Sequence, residues 1–151
     1  MEAFLLGHGN LALFILGFLA ATLVPVGSEW LLVALLLKGH DPLPAVAAAT
    51  VGNTLGACTT YWIGLWGAPL LIGRLLRISP AQQERAERLY ARYGSWSLLL
   101  SWLPVVGDPL CLAGGILRIR FVRFFLLVLC GKLARYALVC LATLQAVRIA
   151  N

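Results

Sequence analysis

Four ionisable side chains stand where an apolar chain seldom carries them. Glu29 follows Pro25-Val26-Gly27-Ser28 in the middle of one hydrophobic tract, and Asp108 falls inside Pro104-Val105-Val106-Gly107-Asp108-Pro109 in the middle of another. Lys132 and Arg135 lie three residues apart in the last tract, and so share one helical face. A carboxylate at membrane depth, beside backbone N–H groups freed by a helix break, can cap a half-helix or carry a proton. Paired cations at that depth can neutralise the carboxylates, leaving no net charge in the core, or hold a phosphate or carboxylate headgroup together with the free N–H groups. Both uses can alternate, with a substrate anion displacing a carboxylate that then takes up a proton. Ser28 and Asn53 are the neutral polar residues placed to join such a site.

The setting of these residues is a property of the whole chain. Its 151 residues are 61% hydrophobic and 12% charged, with mean hydropathy +0.90, whereas soluble domains run about 45–50% apolar and about 25% charged. That composition describes an integral membrane protein and excludes soluble enzymes, extracellular disulfide scaffolds and disorder. Twelve Lys+Arg against six Asp+Glu give a net charge of +6. The arginines cluster beside apolar segments, so their expected partner is anionic lipid headgroup and not nucleic acid. Cys58, Cys111, Cys130 and Cys140 lie in apolar stretches without a CxxC pattern, and His8 and His40 stand alone near segment ends. No metal, cofactor or enzymatic constellation is expected. Glu2 is the first charge and no basic stretch precedes the first apolar run, which argues against a cleaved signal peptide.

Positioning these groups requires helices. Four apolar tracts run over Leu11–Leu37, Leu43–Ile72, Ser95–Leu117 and Phe121–Val147, each near the ~20 residues that cross a ~30 Å hydrocarbon core. Prolines remove a backbone donor and clash with the preceding turn, and with the adjoining glycines Pro25, Gly27, Pro104, Gly107 and Pro109 make the first and third tracts helix-break-helix. Each half then reaches the midplane and returns, as a re-entrant hairpin. Ser28 is the expected N-cap after the first break, and Asp108 with Pro109 at N1 the expected start after the second. Lys132 lies ~17 Å along the last helix from its start. Between the second and third tracts, Ser79-Pro80-Ala81-Gln82 reads as a capping box opening an amphipathic surface helix over 79–93. Its apolar stripe is Ala86, Leu89, Tyr90 and Tyr93; its other face holds Glu84, Arg85, Arg88 and Arg92, and Gly94 stops it. Gly52, Asn53, Thr54, Gly56 and Gly64 form a small-residue stripe that lets a neighbouring helix approach closely.

The two halves also resemble one another. Pro25 and Pro104, Glu29 and Asp108, and Gly52 and Gly131 are each separated by 79 residues. The expected architecture is all-α: a single membrane domain of two inverted repeats, 11–72 and 95–148, each a re-entrant broken helix plus one transmembrane helix. Arginines flank the third tract on both sides, Arg74 to Arg92 before it and Arg118, Arg120 and Arg123 after it. The positive-inside rule then puts both flanks in the cytoplasm and both termini outside, with Lys38 and Arg148 as exceptions. A homodimer is expected to shield the polar breaks from lipid.

These residues together resemble the DedA superfamily, whose members share the SNARE-associated (VTT) domain, and within it the short YqaA-like branch. The resemblance rests on Pro25-Val26-Gly27-Ser28-Glu29, Gly52, Gly56, Tyr61, Gly64 and Gly67, Ser101-Trp102-Leu103-Pro104-Val105-Val106-Gly107-Asp108, Ala113-Gly114, Gly131-Lys132 and Arg135-Tyr136. It implies paired re-entrant helices in a bacterial cytoplasmic membrane and movement of lipids across it. Some members are carriers of undecaprenyl phosphate driven by the proton-motive force. Glu29 matches the family's essential acidic residue after the first break. The chain departs from the family pattern where arginines usually stand three before and three after the second-break proline, here Ser101 and Gly107. It departs again at Ala57, usually acidic, which leaves Asp108, Lys132 and Arg135 to do the equivalent work.

Two functional readings follow. The leading one is a transporter or flippase for an anionic lipid, undecaprenyl phosphate or a phospholipid, with proton coupling through Glu29 and Asp108. The other is a non-transporting structural or interaction module whose charges pair only with one another.

Overall fold

The computed structural model describes residues 2–21, 28–66, 79–103 and 106–150, with side chains from His8 to Ile149. Pro25, Gly27 and Pro104 lie outside the described residues, as do the end of the second tract and Arg74 and Arg77. Six α-helices and one long 3₁₀ segment are described: α1 (Glu2–Ala20), α2 (Glu29–Leu37), α3 (Pro42–Trp66), α4 (Pro80–Tyr93), the 3₁₀ segment (Gly94–Trp102), α5 (Gly107–Ile116) and α6 (Phe121–Ala150). Among the described residues there is no strand.

The ends of the described helices bracket both expected breaks. α1 ends at Ala20 and α2 starts at Glu29; the 3₁₀ segment ends at Trp102 and α5 starts at Gly107. Three details differ from expectation. Ser28 takes the expected N-cap position of α2, but its side chain makes no cap bond, because its hydroxyl is committed to a residue of α6. Asp108 is not the N-cap of α5, since Val106 occupies that position and Gly107 is already helical. The turn starts early because the Gly107 amide donates to the Leu103 carbonyl at 2.9 Å and the Leu110 amide to Val106 at 3.1 Å. A side chain at Gly107 would collide with the Ser101 carbonyl, so the tight return of the chain requires glycine there. Pro109 sits in the first turn of α5, where a missing N–H costs nothing. Finally, the first half of the third tract is 3₁₀ and not α. Nine residues of 3₁₀ helix is unusually long, and at about 2 Å rise per residue it spans ~18 Å.

The amphipathic helix forms as its sequence predicts. The Ser79 hydroxyl accepts from the Gln82 amide at 3.3 Å while Gln82 Oε1 accepts from the Ser79 amide at 2.8 Å, completing the capping box. Gly94, at φ 59°, ends the helix. Ala86 and Tyr90 are buried and Leu89 packs against the core, but Tyr93 turns outward. Tyr90 donates to the Leu110 carbonyl at 3.0 Å and so fastens α4 to α5. Burial raises the Tyr90 hydroxyl well above the usual phenol range, which keeps it a donor.

Glycine decides how closely the helices approach. A side chain at Gly52 of α3 would run into the Phe14 carbonyl of α1, and one at Gly115 of α5 into the Tyr61 carbonyl of α3. These contacts bring backbone against backbone, as the small-residue stripe predicts. α1 packs along α3 and the 3₁₀ segment along α6, while α2 leans on α6 and α5 on α3. Two apolar cores result. One gathers Ala57, Tyr61, Tyr90, Leu98, Leu110, Phe124 and Val128; the other gathers Leu13, Leu32, Leu35, Ala49, Tyr136 and Cys140.

By length and hydropathy together, one described helix, over Phe121–Ile149, is long and apolar enough to cross a membrane. The four-tract reading expected more. α3, at 25 residues, is long enough but carries Thr50, Asn53, Thr54 and Thr60, all turned inward and buried. The outward faces are apolar: Val51, Leu55, Trp62 and Trp66 on α3, and Val122, Leu126, Leu133, Leu138 and Leu141 on α6, are exposed. An apolar exterior around a polar seam is the inside-out arrangement that lipid favours.

Candidate functional site

The site is built on one stripe of α6. Phe124, Val128, Lys132, Tyr136 and Cys140 recur every four residues and are all buried. Phe124 and Val128 belong to one apolar core and Tyr136 and Cys140 to the other, so Lys132, with 3% of its side chain exposed, occupies the seam between them. Each break delivers a carboxylate to this stripe. Lys132 Nζ lies 3.9 Å from Asp108 Oδ1, in the first turn of α5. That separation exceeds hydrogen-bond length, so the two attract as charges without a direct bond. Asp108 is the more open partner, at 36%.

Arg135 makes the tighter pair. One guanidinium nitrogen contacts Glu29 Oε1, in the first turn of α2. The other donates at 2.9 Å to the carbonyl of Trp102, the last residue of the 3₁₀ segment. Arg135 thus ties the start of α2 to the end of the 3₁₀ segment, a fork-shaped contact that lysine could not make. Glu29, Asp108, Lys132 and Arg135 sum to zero charge, and the structure brings all four together.

Neutral groups complete the cluster. Ser28 Oγ and Tyr136 Oη share a hydrogen bond of 2.5 Å, and Asn53 Nδ2 donates to the same Tyr136 oxygen at 2.9 Å. Three buried atoms have no hydrogen-bond partner among the described residues: Asn53 Oδ1, Thr50 Oγ1 and Ser101 Oγ. Buried polar groups are normally paired. Of the three, Asn53 Oδ1 belongs to a side chain already bonded to Tyr136, so it is an acceptor left over within the cluster. Both candidate neutral residues, Ser28 and Asn53, therefore join the cluster, but through a residue that chemical reasoning from sequence did not single out. Tyr136 carried a signal nonetheless, since it lies four residues beyond Lys132 and must share its face. The role of the Trp102 carbonyl had no sequence signal.

Among the described residues no group of three His, Cys, Asp or Glu side chains is arranged to hold a metal ion. Ser101 and Ala57, which stand where the resembled family usually carries charge, are both buried. The arrangement can do two things. It can bind an anion at the Lys132 ammonium in competition with Asp108, and it can hold the two breaks together through Arg135.

Residues 9–145 match the VTT domain. The chain is 45% identical over 139 residues to inner membrane protein YqaA of Escherichia coli (strain K12), covering 89% of this chain and 90% of that protein. It is 42% identical over 142 residues to an uncharacterized protein of Haemophilus influenzae, covering 87% and 85% respectively. A more distant relative is undecaprenyl phosphate transporter A of Bacillus subtilis (strain 168), 30% identical over 87 residues, or 55% of this chain and 44% of the relative. No solved structure matches.

Proposed function

The chain belongs to the VTT domain family of the DedA superfamily and is a bacterial inner-membrane protein, and from that premise we propose that it carries an anionic lipid across the membrane. Undecaprenyl phosphate is the favoured cargo, by analogy with the named activity of the B. subtilis relative, with a phospholipid as the alternative. The observation that carries the reading is the loose pair at the seam: a buried ammonium held 3.9 Å from a half-open carboxylate. A lipid phosphate displaces Asp108 from Lys132, and the released carboxylate takes a proton. When the lipid leaves, the proton leaves with it and the pair re-forms. Arg135 and Glu29 hold the breaks in register meanwhile.

In this reading the architecture is two inverted repeats, 11–72 and 95–148, joined by the surface helix over 79–93. The crosswise packing supports it: α2 of the first half lies on α6 of the second, and α5 of the second on α3 of the first. Such exchange makes the two halves rock against one another about the seam, which exposes Lys132 to each face in turn. Lipid translocation in proteoliposomes under an imposed pH gradient is the test. A hydrogen bond to a charged group contributes about 1.5–3 kcal/mol, so Lys132→Ala should slow transport roughly 10- to 100-fold. Asp108→Asn, which removes the carboxylate that takes up the proton, should uncouple it from the gradient. Unchanged translocation in both variants removes the proposal.

A second reading, a non-transporting module with internally paired charges, draws support from the contacts of Arg135 with both Glu29 and the Trp102 carbonyl. It is favoured if each single charge removal unfolds the protein in detergent and the double change Glu29→Gln with Arg135→Gln restores folding.

A further inference from the structure

Two adjoining cavities, of about 690 and 890 Å³, open where the surface helix α4 and the 3₁₀ segment meet the start of α6, and both are lined by Ser95, Arg120 and Arg123. The first continues to Arg118 on the α5–α6 turn. The second continues over apolar surface, Trp96, Val122 and Leu126, all of which are well exposed. Charge is therefore concentrated at one end and hydrocarbon at the other. Glu87 is the carboxylate in the lining, and its Oε1 accepts from Gln83 on the same helix at 3.1 Å. The three arginines are exposed, and Arg123 reaches only a long 3.4 Å bond to Ser95 Oγ. Arg118 holds a left-handed backbone at φ 51°, a conformation that favours glycine or asparagine, yet an arginine occupies the position.

We propose that this groove is the seat of a resident anionic phospholipid, its phosphodiester held by Arg118, Arg120 and Arg123 and one acyl chain lying along Trp96, Val122 and Leu126. Only a ligand with an anionic head and a hydrocarbon tail satisfies both halves of the lining. The site is separate from the seam: Arg123 precedes Lys132 by nine residues of α6, roughly 14 Å along the helix axis. That distance is about half the hydrocarbon core, so arginines at headgroup level put Lys132 near the midplane. The inference rests on the membrane placement used above but not on transport. A lipid anchored here fixes α4 and the 3₁₀ segment against α6, on the face where the arginines gather.

Native mass spectrometry of the detergent-solubilised protein, titrated with phosphatidylglycerol or phosphatidylethanolamine, tests the proposal. Phosphatidylglycerol is expected to bind selectively, and the double variant Arg120→Gln/Arg123→Gln to lose affinity roughly 25-fold, since each basic side chain near a headgroup is worth about a five-fold factor. Arg123→Lys should retain most of the affinity, and Glu29→Gln all of it, which separates this site from failure of the transport reading. Equal binding of the two lipids by the unaltered protein overturns the proposal even if the double variant fails to fold. Unchanged binding by a folded double variant also overturns it. So does inorganic phosphate binding with the same dependence on the arginines while no lipid is retained.

Discussion

Removing a single oxygen, by Tyr136→Phe, probes whether the seam is one connected network. Tyr136 is fully buried, and its hydroxyl serves both Ser28 Oγ at 2.5 Å and Asn53 Nδ2 at 2.9 Å. Phenylalanine keeps the ring volume, so the change strands two buried polar groups without opening a cavity. Each stranded group costs about 1–3 kcal/mol on aqueous scales, which sums to about 2–6 kcal/mol. Hydrogen bonds between helices in lipid are worth less, averaging about 0.6 and reaching about 1.7 kcal/mol, because separated helices find other partners. The lipid scale therefore governs, and the expected loss is about 1–2 kcal/mol. SDS-driven unfolding in mixed micelles measures it. In a cycle with Ser28→Ala, the serine change should cost about 0.5–1 kcal/mol less once Tyr136 is phenylalanine. If the two changes add to within about 0.3 kcal/mol, Ser28 and Tyr136 are not coupled and the network account of the seam is wrong.

Other consequences can be checked separately. Gly115→Ala should destabilise the protein by more than about 2 kcal/mol or prevent folding, because its methyl meets the Tyr61 backbone and not a movable side chain; a folded variant of unchanged thermal midpoint contradicts the close approach of α3 and α5. Ser79→Ala removes half of the capping box and should cost about 1 kcal/mol, read as faster amide exchange over the first turn of α4. Cysteines introduced at Lys38 and near Met1 should label from one face of the membrane, and those at Arg92 and Arg118 from the other; labelling of either pair from opposite faces rules out re-entrant hairpins.

Legibility of the fold followed from how local each cause is. The capping box at Ser79, the stop at Gly94 and the helix start at Gly107 depend on residues a few positions apart, so their consequences could be read along the chain. The half-helix after Gly94 is 3₁₀ where the sequence suggests α, because apolar run length does not distinguish the two and its packing on α6 and α5 lies outside any local window. Ser28 stands at the N-cap of α2 as expected, though without a cap bond, and Asp108 falls inside α5 because Val106 takes its N-cap. Serine and aspartate favour caps in isolation, yet here Ser28 finds Tyr136, 108 residues away in sequence, and Asp108 finds Lys132. A long-range partner outcompetes a local one where burial makes the local alternative no cheaper.

Composition and charge placement were enough to establish a helical membrane protein with four charges to be reconciled inside it, since insertion into lipid penalises every unpaired group wherever it falls. Which acid meets which base was a matter of three-dimensional assembly alone. Lys132 and Arg135 share a helix face and either could have taken either carboxylate; in the assembled fold, with α2 packed on α6 and α5 on α3, Glu29 meets the guanidinium and Asp108 the ammonium. That assignment leaves one pair tight and the other loose, because the distances between side chains on different helices depend on backbone approach, which no single helix encodes.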